Sequence, residues 1–258
     1  MDESRRRFLK IAGAAVFGYG WTLGVGRVLG QHGHGAVSAA PTGTRWAMVI
    51  DTAACMREQG CTACIDACHR VHNVPRIDDE ELVVKWIWKE PYEHAFPTQV
   101  HPYTEESLIR RQVLVLCNHC ERPPCVRVCP TQATFKREDG IVAMDEHRCI
   151  GCRYCIAACP YGSRSFNWED PRPHIENLHE DFPTRMRGVV EKCNFCSERV
   201  AVGREPACVE ACRQRGPGAL VFGDLNDPES EVARLLRTRL SIRRKPGLGT
   251  GPHVFYLV

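Results

Sequence analysis

The sixteen cysteines of this 258-residue chain fall into four groups of four with none left over. They are Cys55, Cys61, Cys64 and Cys68; Cys117, Cys120, Cys125 and Cys129; Cys149, Cys152, Cys155 and Cys159; and Cys193, Cys196, Cys208 and Cys212. The third group is spaced C-x2-C-x2-C-x3-C and is followed by Pro160. That spacing suits an iron–sulfur cubane: three thiolates two residues apart wrap one cluster on a tight loop, and the fourth, on the helix that follows, faces a second cluster. Pro160 stops that helix after the ligand. Gly151 supplies freedom where backbone must approach the cluster.

The second group keeps this logic with a longer middle gap and also ends in C-P, at Cys129-Pro130. The first group has a stretched opening gap, and the fourth a long gap before Cys208. His69 and Arg213 stand where proline would follow. Zinc would use two separated C-x2-C knuckles, for which Cys117/Cys120 and Cys193/Cys196 qualify. It does not call for four graded cysteines ending in C-P, twice over. Disulfides would have to form between thiols crowded into single turns, where the geometry is strained.

Short β-prone stretches precede each group: Trp46–Asp51, Gln112–Leu116, Ile141–Asp145 and Gly188–Lys192. Residues 133–135 and 141–144, joined at Asp139-Gly140, read as a β-hairpin. Residues 218–222 read as a further strand. Residues 229–239 read as a helix with Val232, Leu235 and Leu236 on one face. Two insertions, 69–111 and 163–187, are rich in proline and aromatic residues; ordinary packing over a small core competes with shielding of clusters or contact with a partner.

The N-terminus reads as an export signal. Ser4-Arg5-Arg6-Arg7-Phe8-Leu9-Lys10 resembles the twin-arginine motif and leads into an apolar run, Ile11–Gly26, too short for a membrane span and closed by Arg27. The twin-arginine route carries folded proteins, which suits a chain loaded with a cofactor before export. The first forty residues hold five basic and two acidic side chains; taken from totals of 34 and 31, they leave 29 of each sign. A balanced body has no global field for nucleic acid. The one local basic run, Arg237, Arg239, Arg243, Arg244 and Lys245, reads as a solvated surface.

With these motifs the chain resembles the four-cluster ferredoxin-like subunits of membrane oxidoreductases such as polysulfide, dimethyl sulfoxide and formate enzymes. Closer still, the long gap in Cys55-Met-Arg-Glu-Gln-Gly-Cys61, the stretch 67–75, Lys85-Trp86-Ile87-Trp88-Lys89-Glu90-Pro91 and residues 182–188 resemble the periplasmic iron–sulfur (O) subunits of sulfite-reduction-associated Dsr MKJOP complexes. The resemblance implies an α+β fold of two tandem or interleaved bacterial-ferredoxin-like modules, each holding two [4Fe–4S] clusters, with loop-rich insertions. It implies a signal peptide at 1–40, one module from 41–112 with 188–258, and a second from 113–187. It also implies four [4Fe–4S] clusters with cross-paired ligands: Cys55, Cys61, Cys64 and Cys212; Cys68, Cys193, Cys196 and Cys208; Cys117, Cys120, Cys125 and Cys159; Cys129, Cys149, Cys152 and Cys155.

The implied role is periplasmic electron relay between a quinone-interacting, NrfD-like integral membrane subunit and a multihaem cytochrome c, among other Dsr subunits. The protein would sit peripherally on the cytoplasmic membrane through its partner, in dissimilatory sulfur metabolism. The alternative is the electron-transfer subunit of a molybdopterin oxidoreductase, polysulfide-, tetrathionate- or nitrite-linked. A zinc or nucleic-acid module is opposed by the balanced charge and the export motif. No catalytic triad, phosphate loop or HExxH motif is present, so no catalysis of its own is expected. His69, His72, His119 and His147 are read as surface or second-layer groups and none as a ligand. Trp86 and Trp88 are read as packing or interface residues.

Overall fold

Four consecutive buried residues, Ala47, Met48, Val49 and Ile50, mark β1 (Trp46–Asp51) as a strand covered on both faces rather than one half open to water. In a computed structural model, which describes residues 43–258, β1 lies between two strands from the far end of the chain. It pairs antiparallel with β8 (Leu220–Asp224) and parallel with β10 (Val254–Leu257), and β10 takes β9 (Ser241–Ile242) as an antiparallel edge. The segment 1–40, read as an export signal, lies outside the described residues.

The two faces of β1 serve different cores. Ala47 and Val49 pack with Val232, Leu235 and Leu236 of the helix Glu231–Thr238, whose first turn is capped by Ser230 Oγ accepting from Ala233 N–H at 3.1 Å. Met48 and Ile50 face the main core with Ile87, Phe96, Leu114, Leu116, Phe195 and Tyr256.

Three two-stranded ribbons complete the β structure of the described residues. β2 (Ile87–Pro91) pairs antiparallel with β3 (Gln112–Leu116), β4 (Thr134–Lys136) with β5 (Val142–Met144), and β6 (Ser165–Phe166) with β7 (Val190–Glu191). The β4–β5 ribbon is the expected hairpin. β2 is the first insertion's contribution: Val84, Trp86, Ile87 and Phe96 sit in the main core, so this part of the insertion is packing, while Tyr103 stays exposed.

In the basic run Arg237, Arg239 and Arg243 are exposed as expected, but Arg244 departs from that role. Arg244 is 2% exposed, donates to the carbonyl of Ala95 at 3.1 Å and pairs with Glu90 Oε1 at 2.5 Å. A run of like charges says nothing of which member finds a carboxylate from another element; here Glu90 on β2 provides one. Among the described residues no helix is long and apolar enough to cross a membrane.

Candidate iron–sulfur centres

Two nine-residue helices set the first half of the site. Ala63–Val71 carries Cys64 and Cys68, and Ala207–Arg215 carries Cys208 and Cys212. Each pair is four residues apart and therefore shares a helix face. The two helices pack together, which brings the first and last cysteine groups to one place. Cys55 arrives on the helix Thr52–Arg57 directly after β1, started by Asp51, whose carboxylate accepts Ala54 N–H at 2.9 Å. In the other half, Pro124 at the first turn starts the helix Pro124–Arg127 bearing Cys125, which packs on Tyr154–Ala157 bearing Cys155.

Between these helices the cysteine loops adopt a backbone that few residues tolerate. His119 (φ 40°), Gly151 (φ 69°), Arg153 (φ 61°), Phe195 (φ 56°) and Cys196 (φ 49°) are all left-handed, and all lie inside the second, third and fourth groups. Left-handed residues within such loops turn successive N–H groups into a concave nest that receives anions, including iron–sulfur clusters. Several N–H groups already point at sulfur. Phe195 donates to Cys193 Sγ at 3.4 Å, Ala207 to Cys196 Sγ at 3.4 Å and Ala219 to Cys212 Sγ at 3.2 Å.

The cysteines converge across group boundaries. One small cavity is lined by Cys117, Cys120, Cys125 and Cys159, and another by Cys129, Cys149, Cys152 and Cys155. Each takes three thiols from one group and the fourth from its neighbour. Cys55, Cys61, Cys64 and Cys212 form a third set of mutual electrostatic neighbours, and Cys68, Cys193, Cys196 and Cys208 a fourth. The sets adjoin through Cys64 and Cys208, Cys193 and Cys117, and Cys125 and Cys155. All sixteen thiols are free of disulfides; Cys152 is the exposed one.

Burial, above all, pushes the Cys64, Cys120 and Cys193 thiols up to about 12, and holds Cys68 and Cys208 well above the ordinary thiol range. Neighbouring thiolates act in the same direction. Four such groups become thiolates together only around a cationic centre, and iron of an iron–sulfur cluster is one. Cys129 runs the other way: its slight burial raises it, but N–H groups of Thr134, Thr131 and Ala133 and the Thr131 hydroxyl hold it below the usual value.

The donor set, the nests and the cavities agree with the comparisons. Residues 113–173 match the 4Fe-4S dicluster domain family. The chain is 45% identical over 229 residues to Hdr-like menaquinol oxidoreductase iron-sulfur subunit 1 of Archaeoglobus fulgidus, covering 82% of each. The chain belongs to the 4Fe-4S iron–sulfur subunits of oxidoreductase complexes. Other relatives include a tetrathionate reductase subunit of Salmonella typhimurium, 40% identical with 83% of this chain and 72% of that protein covered, and protein NrfC of Escherichia coli, 37% identical with 99% and 95% covered. This iron–sulfur subunit is thus a mixed α and β protein with a dicluster ferredoxin-like domain, and its general role is electron transfer.

Of the four histidines of this iron–sulfur subunit read as surface or second-layer groups, two lie in the interior. His72 and His119 are buried to 1% and 0% exposure. His72 places Nδ1 3.6 Å from Cys68 Sγ and donates from it to the Cys68 carbonyl at 2.9 Å, while His119 stacks on Phe195 with centroids 3.6 Å apart. His147 is exposed and His69 half-buried. Arg164, which no pattern singled out, donates to Cys125 Sγ at 3.1 Å. Its only advance signal was its place five residues after a ligand cysteine.

Proposed function

We propose that this subunit relays electrons through four [4Fe–4S] clusters held by the cross-paired sets Cys55/Cys61/Cys64/Cys212, Cys68/Cys193/Cys196/Cys208, Cys117/Cys120/Cys125/Cys159 and Cys129/Cys149/Cys152/Cys155. The observation that carries this is the pair of cavities, each lined by three thiols of one group and one of the next. Residues 41–112 with 188–258 make one ferredoxin-like module and 113–187 the second. When bound, each cluster supplies a one-electron carrier.

The chain's own residues hold these carriers in a row. Cys64 beside Cys208, Cys193 beside Cys117, and Cys125 beside Cys155 define three crossings in sequence. The backbone N–H groups of Phe195, Ala207 and Ala219 point at sulfur, and buried surroundings keep water from the inner sets. The row opens to solvent at Cys152, flanked by exposed Ile150 and Tyr154, where a redox partner has access.

The partners we assign are a quinone-interacting, NrfD-like membrane subunit and a multihaem cytochrome c, in a Dsr-type complex of dissimilatory sulfur metabolism. The menaquinol oxidoreductase and NrfC relatives support the first of these. The twin-arginine motif supports periplasmic placement, bound to the membrane through that subunit. The tetrathionate reductase relative supports a second reading, the electron-transfer subunit of a molybdopterin oxidoreductase.

The deciding experiment measures iron, acid-labile sulfide and zinc per chain on anaerobically purified protein, followed by EPR of the reduced form and capture of membrane partners. About sixteen iron and sixteen sulfide with interacting cubane signals are expected. Zinc without sulfide overturns the proposal. Co-purification of a molybdopterin subunit in place of a cytochrome selects the second reading.

A further inference from the structure

Three arginines of the described residues are almost wholly buried, and two of them carry their own carboxylate. Arg185 lies 2.7 Å from Glu191 and Arg244 2.5 Å from Glu90. Arg164, at 5% exposure, has no carboxylate in ion-pair range among the described residues. Its guanidinium contacts two sulfurs instead: Nη2 donates to Cys125 Sγ at 3.1 Å and Nη1 to Met144 Sδ at 3.7 Å. It lines the cavity of Cys117, Cys120, Cys125 and Cys159, and the ionisable groups facing it are the cysteine sulfurs of Cys125, Cys155 and Cys117. Lys192 is also buried, with no carboxylate in ion-pair range among the described residues, but its ammonium donates to the carbonyls of Val142 and Cys193 and not to sulfur.

A buried cation without a counter-charge costs several kcal/mol, so its surroundings must hold negative charge to retain it. Four thiolates around a [4Fe–4S] core supply a net negative charge, and one-electron reduction makes it more negative by one. A fixed cation at hydrogen-bond distance from one of those sulfurs stabilises the reduced form over the oxidised one. Arginine keeps its charge at every working pH, so this influence is permanent.

We propose that Arg164 is the potential-setting counter-cation of the cluster held by Cys117, Cys120, Cys125 and Cys159, raising it above the potential its ligands alone would give. Because the guanidinium also faces Cys155, the neighbouring cluster on Cys129, Cys149, Cys152 and Cys155 is raised less, and the cluster bearing Cys55 is untouched. The inference rests on the four-cluster reading above. Arg164 is a positioning residue for electrons, acting through the Cys125 sulfur.

The test is an EPR-monitored redox titration of the full cluster-loaded chain, with the electron supplied by dithionite. The relevant signal is identified as the one lost in Cys120→Ser. In Arg164→Gln the one-electron reduction equilibrium of that cluster is expected to fall at least about tenfold, a downward shift of about 59 mV. Arg164→Lys, which keeps the charge, is expected to restore most of it. Met144→Glu retains Arg164 but offers it a carboxylate, and the same downward shift is expected there, even if Arg164→Gln loses iron. Unmoved potentials in Met144→Glu, or equal shifts in Arg164→Gln and Arg164→Lys, overturn the assignment. A wild-type chain without cubane signals would instead sink the four-cluster reading itself.

Discussion

Trp86 donates its indole N–H to Glu191 Oε2 at 2.9 Å, across 105 residues of sequence. Glu191 is fully buried, and it also accepts from Asn167 Nδ2 at 2.6 Å and pairs with Arg185 at 2.7 Å. Arg185 in turn donates to the carbonyls of His72 and Asn73, at 2.5 and 2.9 Å. This network joins both insertions to the strand that leads into Cys193 and to the end of the helix bearing Cys68. The loops between cysteine groups are therefore structural members of the site.

Removing the acid should cost more than removing the tryptophan's single bond. Glu191→Ala leaves Arg185 buried and unpaired, with an expected loss of about 3–5 kcal/mol. Trp86→Phe gives up one hydrogen bond to a charged acceptor and should lose about 1.5–3 kcal/mol. Urea unfolding midpoints of the two variants against wild type test the order; equal losses would mean the ion pair contributes nothing beyond its hydrogen bonds.

Gly151 is irreplaceable for two separate reasons. Its φ is +69°, and a Cβ there would lie 2.5 Å from the carbonyl oxygen of Gly188 and 3.2 Å from Phe166 Cε2. Gly151→Ala should force the third cysteine loop out of place and lower iron by about four per chain, one cubane's content. Gly162→Ala, also left-handed but with open space around it, should keep its iron. Iron analysis of both variants separates steric clash from backbone strain.

Cross-pairing makes an uneven prediction for double variants. Cys159 lines the cavity of Cys120, not that of its own neighbours Cys149, Cys152 and Cys155. Adding Cys120→Ser to Cys159→Ser should therefore remove no further cluster, whereas adding Cys152→Ser should remove a second. Iron content and the number of EPR-active clusters are the readout, and the opposite pattern would return each group to its own cluster.

His253 should give the fold an acid-sensitive window. Burial, outweighing Glu121 3.4 Å away, brings its pKa down from 6.5 to about 4, with Arg45, Lys136 and Arg243 pushing the same way. The unfolded chain then binds more protons than the folded one between those values, so stability is full above pH 6.5 and falls as pH drops toward 4. The expected loss is at most about 3 kcal/mol. His253→Gln should flatten the dependence of the urea midpoint on pH across that interval; an unchanged slope would assign it to other groups.

Much of the outline was legible in the residues themselves. The hydrophobic run 46–51, the Asp139-Gly140 hairpin and the apolar face Val232, Leu235 and Leu236 are local patterns, and they formed as read with boundaries shifted by a residue or two. The C-x2-C-x2-C-x3-C-P run announced iron–sulfur chemistry because three thiols two residues apart can reach one cluster without help from the rest of the chain.

Other features depend on contacts that no local pattern encodes. β1 could have paired with any of the short strands, and the packing of Ala47 and Val49 on the last helix selected β8 and β10. Arg244 and its neighbours Arg239 and Arg243 look alike in the chain, but only Arg244 meets Glu90 in the interior. Likewise Arg164 became a partner of Cys125 because the loop after Pro160 folds back over the second cysteine group. Spacing along the chain determined which thiols could share a cluster loop, since a few bonds limit their reach. Tertiary packing decided which distant thiols met and which cation came to lie beside Cys125, because burial and charge compensation act through space and not along the backbone.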